Sequence, residues 1–299
     1  MWSITLGPLD PDVYSYSFSI DGVTALDPRN PGVKLGSRSS TSSVLEVPGT
    51  GTLWHDLRKV PHGAVAFHWY QSKTLGVTRR FAVYTPPGYD AKGSTRYPVV
   101  YLLHGSGDDE GSWVWFGRAN LVADNLLAAK KINPMIVVMP YGHAAPAGDL
   151  SPANRGLNTS LFEQDLLEDV LPAAEAGYRV AAGPQNRAIV GLSMGGMQSA
   201  YVGLRHPDRF GSIGVFSAGA ANLEEVEPRM AAAKNKLGVF WMGCGDQDSL
   251  LPSAQKLSEA LEKNGVKHTF VKTAGAAHTW LLWRRYLAEF LPQLFRAGT

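Results

Sequence analysis

The chain reads as an α/β protein, with about eight mostly parallel strands covered by helices on both faces and a short β extension in front. Three observations predict this. From about residue 61, short apolar β-branched runs alternate with helical patterns, the arrangement expected of a parallel sheet buried on both faces. The apolar set is 44% of 299 residues, enough to fill a large core. The longest apolar runs, such as 135–140 and 237–242, are far short of the roughly 20 residues that span a bilayer.

Taken in order, residues 13–20 (VYSYSFSI) alternate apolar and small polar side chains, as a half-buried strand does. Asp21-Gly22 follows as a hairpin signal. One or two strands cannot bury a face alone, so this stretch is expected to pack on the main domain or to be the remainder of a β-sandwich. Residues 36–52, rich in Ser, Gly and Thr, read as a linker. The division is therefore 1–50 for extension and linker and 51–299 for the main domain.

Within the main domain, strands are predicted at 64–71, 78–85, 99–104, 135–140, 187–192, 212–216, 238–244 and 268–273. Helices fall between them at 118–130, 161–176, 194–206, 223–234, 252–264 and 279–295. The second helix carries a capping box, Ser160 with Glu163. The fifth opens on Pro252 and closes at Asn264-Gly265. Residues 141–158 form a long Gly-, Pro- and Ala-rich loop after a strand's C-terminal end, where loops shape binding sites.

Composition narrows the function. With 28 basic against 26 acidic residues the net charge is +2, which leaves no electrostatic footprint for nucleic acid or anionic membrane. Cys244 is the single cysteine, so no intrachain disulfide forms, and no Cys/His spacing suggests zinc. The N-terminus lacks the basic and apolar regions of a signal peptide. No dinucleotide fingerprint, P-loop or H-E-x-x-H occurs, so neither cofactor nor metal is expected. What remains is a globular enzyme or a binding module.

Gly191-Leu192-Ser193-Met194-Gly195 fits G-x-S-x-G where a strand is predicted to meet a helix. Glycines on both sides remove the Cβ atoms that would collide in a turn sharp enough to lift a Ser hydroxyl above the sheet. The bland alternative is a Gly-rich turn with an N-cap Ser. A Ser nucleophile needs a base, and the base needs an orienting carboxylate, in the order Ser, acid, His. The acid is expected beyond 238–244, where Asp246 and Asp248 stand; pattern alone does not separate them, since either could stabilise a turn. The base is expected beyond 268–273, at His278 in a Gly/Ala loop. An oxyanion needs preorganised donors: the N–H of Met194, and that of Ser106 in His104-Gly105-Ser106-Gly107, whose glycines let backbone approach a substrate. The His104 side chain is read as holding that loop. Trp113 and Trp280 are either core or an apolar wall for an aromatic or sugar group, and Gly105, in the loop that approaches the substrate, is a further candidate contact. Asn158-Thr159-Ser160 is a glycosylation sequon by spelling only.

These strings have a family likeness. Residues 79–89 (RRFAVYTPPGY) and 97–105 (YPVVYLLHG), with Asp124-Asn125-Leu126, residues 134–140 (PMIVVMP), residues 191–196 (GLSMGG) and His278-Thr279-Trp280, resemble the esterase D-like enzymes of carbohydrate esterase family 1, which includes the feruloyl esterases. The resemblance covers about residues 54–297. It implies an α/β-hydrolase fold, a Ser193–His278–Asp248 triad with Asp248 as the acid, and hydrolysis of hydroxycinnamate esters on plant cell-wall polysaccharide through an acyl-enzyme. Acetyl-xylan, siderophore and thioester substrates, or acyl transfer, are the alternatives on the same machinery, and a dead hydrolase fold that only binds carbohydrate is the alternative outside it. Ala276-Ala277-His278 departs from the family's Gly-Gly-His. The front stretch resembles the closing half of a glycogen-binding-type β-sandwich, which is expected here to pack against the catalytic domain rather than to bind sugar. Family members are commonly secreted, which implies that this chain is trimmed or a fragment.

Overall fold

The computed structural model describes residues 4–39, 41–49, 52–146 and 152–296. The front of the chain forms β1 (Asp12–Tyr16), β2 (Phe18–Ile20), β3 (Val23–Ala25), β4 (Val33–Lys34) and β5 (Ser42–Val47). The hairpin turns at Asp21-Gly22 as read, with Ile20 paired to Val23. Two corrections apply. The alternating run breaks after Tyr16, so β1 and β2 enter different sheets. And the expected linker at 36–52 holds a strand: β5 pairs antiparallel along all of β1 and with β4. The Ser content hid a strand because the Ser43 hydroxyl, fully buried, accepts the Asp27 N–H at 2.9 Å, so a small polar residue does what an apolar one does elsewhere.

The main sheet has eight strands: β6 (Ala64–Ser72), β7 (Val77–Thr85), β8 (Val99–Leu103), β9 (Ile136–Pro140), β10 (Arg187–Leu192), β11 (Ser212–Phe216), β12 (Val239–Gly245) and β13 (Thr269–Thr273). Their order is β13-β12-β11-β10-β8-β9-β7-β6. From β13 to β9 every pairing is parallel, and β7 runs antiparallel to both neighbours. This is the α/β-hydrolase arrangement. Strand order changes direction between β8 and β10, and sites in open α/β sheets lie outside the carboxyl ends of the strands at such a point.

The helices are α1 (Ser112–Trp115), α2 (Ala119–Ala128), α3 (Pro152–Asp165), α4 (Leu171–Gly177), α5 (Met194–Arg205), α6 (Leu223–Ala233), α7 (Leu251–Lys263) and α8 (Trp280–Phe290). Central strands alternate between two cores. Val99, Tyr101 and Leu103 face α4 to α7, while Val100 and Leu102 face α1, α2 and α8. Both faces are buried, so these strands read as continuous apolar runs.

The helix expected at 161–176 begins earlier and contains a π-turn at Leu166–Val170. Ser160 is therefore no N-cap; inside α3 its hydroxyl donates back to the Leu157 carbonyl at 3.1 Å, and Glu163 instead accepts from Arg205 and pairs with His206. Pro172 lacks the N–H a continuous helix would need, and the π-turn precedes it. The helix also takes up residues 152–158 of the expected long loop. Among the described residues no helix is long and apolar enough to cross a membrane.

The extension is anchored to the body by Arg284 of α8, which is 1% exposed. Its guanidinium donates to the Phe116 carbonyl at 2.9 Å, to Asp12 Oδ1 at 2.7 Å and to the Val13 carbonyl at 2.6 Å. Burial pulls the Arg284 pKa down, and Asp12 opposes that pull. Val13 itself joins the α8-side core.

Candidate active site

Ser193 sits between β10 and α5 at φ 52° and ψ −117°, a region that costs a non-glycine residue about 1–3 kcal/mol. The surroundings enforce it. The Ser193 N–H donates to the Phe216 carbonyl at 2.9 Å. A Cβ on Gly195 would lie 2.5 Å from the His104 carbonyl oxygen, and one on Gly191 would lie 2.6 Å from the Gly195 backbone. The two glycines of the motif are thus where the strand, the turn and the segment around His104 touch.

From that turn the Ser193 hydroxyl meets His278 Nε2 at 3.0 Å, and His278 Nδ1 meets Asp248 Oδ2 at 2.8 Å. A carboxylate only accepts, so the neutral ring carries its proton on Nδ1 and presents Nε2 as the acceptor for the Ser hydroxyl. The Asp248 side chain is fully buried. Its other oxygen accepts the Leu250 N–H at 2.9 Å, which fixes the carboxylate plane. The neighbouring Cys244 thiol is pushed up to about 12 by burial first and by Asp248 second, so it stays protonated. Trp283 packs edge-on to the His278 ring at 4.8 Å between centroids.

The two aspartates that the sequence left open divide their work. Asp246 accepts the Gly275 N–H at 2.8 Å and so holds the loop that carries His278, while Asp248 faces the imidazole. His104 is buried; it donates from Nδ1 to the Gly105 carbonyl at 2.8 Å and accepts the Gly142 N–H on Nε2 at 2.8 Å. Burial lowers its pKa. It holds the loop, as the sequence suggested.

Ser193 and His278 open into a cleft of about 390 Å³ that also receives Gly105, Ser106 and Trp280. Gly105 brings its backbone close over Ser193, since a Cβ there would be 3.5 Å from Ser193 Cβ. The Met194 N–H is the first of α5, and first-turn N–H groups have no intrahelical acceptor. Trp113 is corrected: it is 1% exposed, donates its indole N–H to the Leu103 carbonyl at 3.0 Å and packs edge-on behind Trp280. Trp280 reaches the cleft and Trp113 supports it from the core.

Several site residues escaped the sequence reading. Asn158, 7% exposed, is a loop clamp rather than a glycan acceptor. Its Oδ1 accepts the N–H groups of Ala144 and Ala145 at 2.7 and 3.0 Å, and its Nδ2 donates to the Gly142 carbonyl at 3.2 Å. His143 accepts the Gly107 N–H at 3.3 Å; burial first, then His104 and two arginines, lowers its pKa to about 3. Tyr14, Lys34 and Ser39 of the extension also line the cleft. No local pattern marks them, because their role depends on a strand pairing that brings a distant segment over the sheet edge.

Residues 72–294 match the esterase family described as "Putative esterase". The chain is 36% identical over 297 residues to an endo-1,4-beta-xylanase/feruloyl esterase of Xylanibacter ruminicola, covering 98% of this chain and 39% of the relative. It thus spans about two fifths of that protein's length. Among solved structures, a CE1 ferulic acid esterase from Anaeromyces mucronatus in complex with ferulic acid superposes with a TM-score of 0.73 at 26% identity, covering 80% of this chain and 93% of that one. A mutant of the feruloyl esterase module from Clostridium thermocellum complexed with sinapinate shares the fold, with a TM-score of 0.69 at 20% identity over 91% and 98% of the two chains.

Proposed function

The chain belongs to the esterase family, and from that premise we propose that it is a serine feruloyl esterase acting on hydroxycinnamates linked to plant cell-wall xylan. The observation that carries the reading is the hydrogen-bonded run from Ser193 through His278 to Asp248 at 3.0 and 2.8 Å. Supporting the substrate are the xylanase/feruloyl esterase relative and the ferulic acid complex of the Anaeromyces enzyme.

In this mechanism Ser193 Oγ attacks the ester carbonyl while His278 Nε2 takes its proton. Asp248 keeps the imidazole proton on Nδ1 and stabilises the imidazolium. The N–H groups of Ser106 and Met194 receive the developing oxyanion. His278 then protonates the leaving sugar hydroxyl, and a water activated by the same ring clears the acyl-enzyme. The reacting groups themselves all lie within residues 51–299, and the protein acts on the polysaccharide after secretion.

The test compares hydrolysis of methyl ferulate, p-nitrophenyl acetate and a glutathione thioester, with fluorophosphonate labelling as the check on Ser193. Methyl ferulate is expected to be turned over and the label to be lost in Ser193→Ala. Labelling and nitrophenyl turnover without ferulate turnover would leave a serine esterase and remove the feruloyl assignment.

A further inference from the structure

The extension touches the reaction centre, and it does so at one loop. The Gly107 carbonyl, on the segment that carries Ser106, accepts the Ser37 N–H at 2.9 Å, the Arg38 N–H at 3.3 Å and the Ser39 hydroxyl at 3.1 Å. The Ser37 hydroxyl donates to the next carbonyl, that of Asp108. Lys34 Nζ pairs with Asp108 Oδ1 at 2.6 Å, with side chains only 15% and 7% exposed. Gly107 sits at φ +85°, and a Cβ there would come within 2.8 Å of Ser39 Cβ, so strap and loop are in van der Waals contact. Arg38 continues across to the Ala145 carbonyl at 2.7 Å. On the opposite side the loop is held through its N–H, which His143 accepts. Ser39 and Lys34, with Tyr14 and Ser42, also form the cleft wall that faces Ser193 and His278.

We propose that the strap at residues 34–39 is part of the esterase site: Lys34, Ser37 and Ser39 are positioning residues that fix the Gly105–Gly107 loop so that the Ser106 N–H meets the oxyanion. This rests on the serine-esterase reading above. The loop has no regular secondary structure of its own, and its two flanking glycines permit many conformations. Donors act on a transition state only when preorganised, and misplacement by about 1 Å can cost about 100-fold in rate. Bonds from the connection between β4 and β5, anchored at both ends in a separate sheet, supply that order through the Gly107 and Asp108 carbonyls rather than through the Ser106 N–H.

The experiment measures kcat and KM on p-nitrophenyl acetate, per active site titrated with a fluorophosphonate, for Ser37→Ala/Ser39→Ala, Lys34→Met and Lys34→Arg. Loss of loop order is expected to lower kcat about 10- to 100-fold in the double variant and in Lys34→Met, with KM changed less than about 3-fold. Lys34→Arg keeps the pair to Asp108 and is expected to recover most of kcat. Ser37 and Ser39 are exposed, so the melting temperature of the double variant is expected to hold within about 2 °C. Full kcat in both disrupted variants, whether or not they melt earlier, overturns the proposal. A wild-type chain that hydrolyses no ester and takes no label would instead remove the serine-esterase reading itself.

Discussion

Replacing Asp248 with Asn changes almost no volume and reverses the hydrogen-bond logic of the site. Asp248 Oδ1 accepts the Leu250 N–H at 2.9 Å, so an Asn must place its carbonyl oxygen there. Its NH₂ then occupies the Oδ2 position, 2.8 Å from His278 Nδ1. Two donors cannot face each other, so the imidazole switches its proton to Nε2. That N–H points at the Ser193 hydroxyl 3.0 Å away and can no longer accept its proton. In triads of this geometry the wrong tautomer costs about 10⁴-fold in kcat, or about 5.5 kcal/mol of transition-state stabilisation. Steady-state kinetics on p-nitrophenyl acetate from pH 6 to 9 measures it, with thermal unfolding as the control on structure. An Asn variant that folds and retains more than a tenth of wild-type kcat would refute this account of how Asp248 works.

Other perturbations have equally definite outcomes. Ser193→Gly removes a side chain from a positive-φ position and is expected to raise stability by about 1 kcal/mol in thermal unfolding while abolishing turnover. Gly195→Ala would press a Cβ to 2.5 Å from the His104 carbonyl oxygen; separation of the Ser193 turn from the loop at His104 should lower both the melting temperature and kcat. Trp113→Ala opens a cavity behind Trp280, and chemical denaturation is expected to register a loss of about 3–5 kcal/mol. His143 is held neutral down to about pH 3 in the fold, whereas an unfolded His protonates near 6.5. The unfolded chain therefore binds more protons between these values, and stability falls as pH drops through that window and is fully present above it. The slope from this ring is at most about 1.4 kcal/mol per pH unit, and His143→Phe should flatten it in urea midpoints taken from pH 7 to 4.

Much of the architecture was legible because it is written locally. Runs such as residues 99–103 and 136–140 are short, β-branched and apolar throughout, as a strand buried on both faces requires. Ser193 and His278 stand out for similar reasons: a turn that needs Gly at 191 and 195, and a His in a Gly/Ala loop beyond the last strand. Asp248 was separable from Asp246 only by likeness to other esterases, since both sit in one turn and the difference between them is direction. The helix start at Pro152 was hidden because Ser160 and Glu163 satisfy a capping pattern that the tertiary partners Arg205 and His206 override.

By itself, then, the chain determined its sheet, the sharp turn under Ser193 and the chemical types available above it, because backbone sterics and apolar periodicity act over a few residues. Long-range packing settles that Trp113 is core, that Asn158 clamps a loop and that a Ser-rich stretch forms a strand and lies against Gly107. Those outcomes turn on which surfaces meet across tens to hundreds of residues: Ser37 finds Gly107, and Arg284 finds Asp12, through pairings that no local spacing encodes.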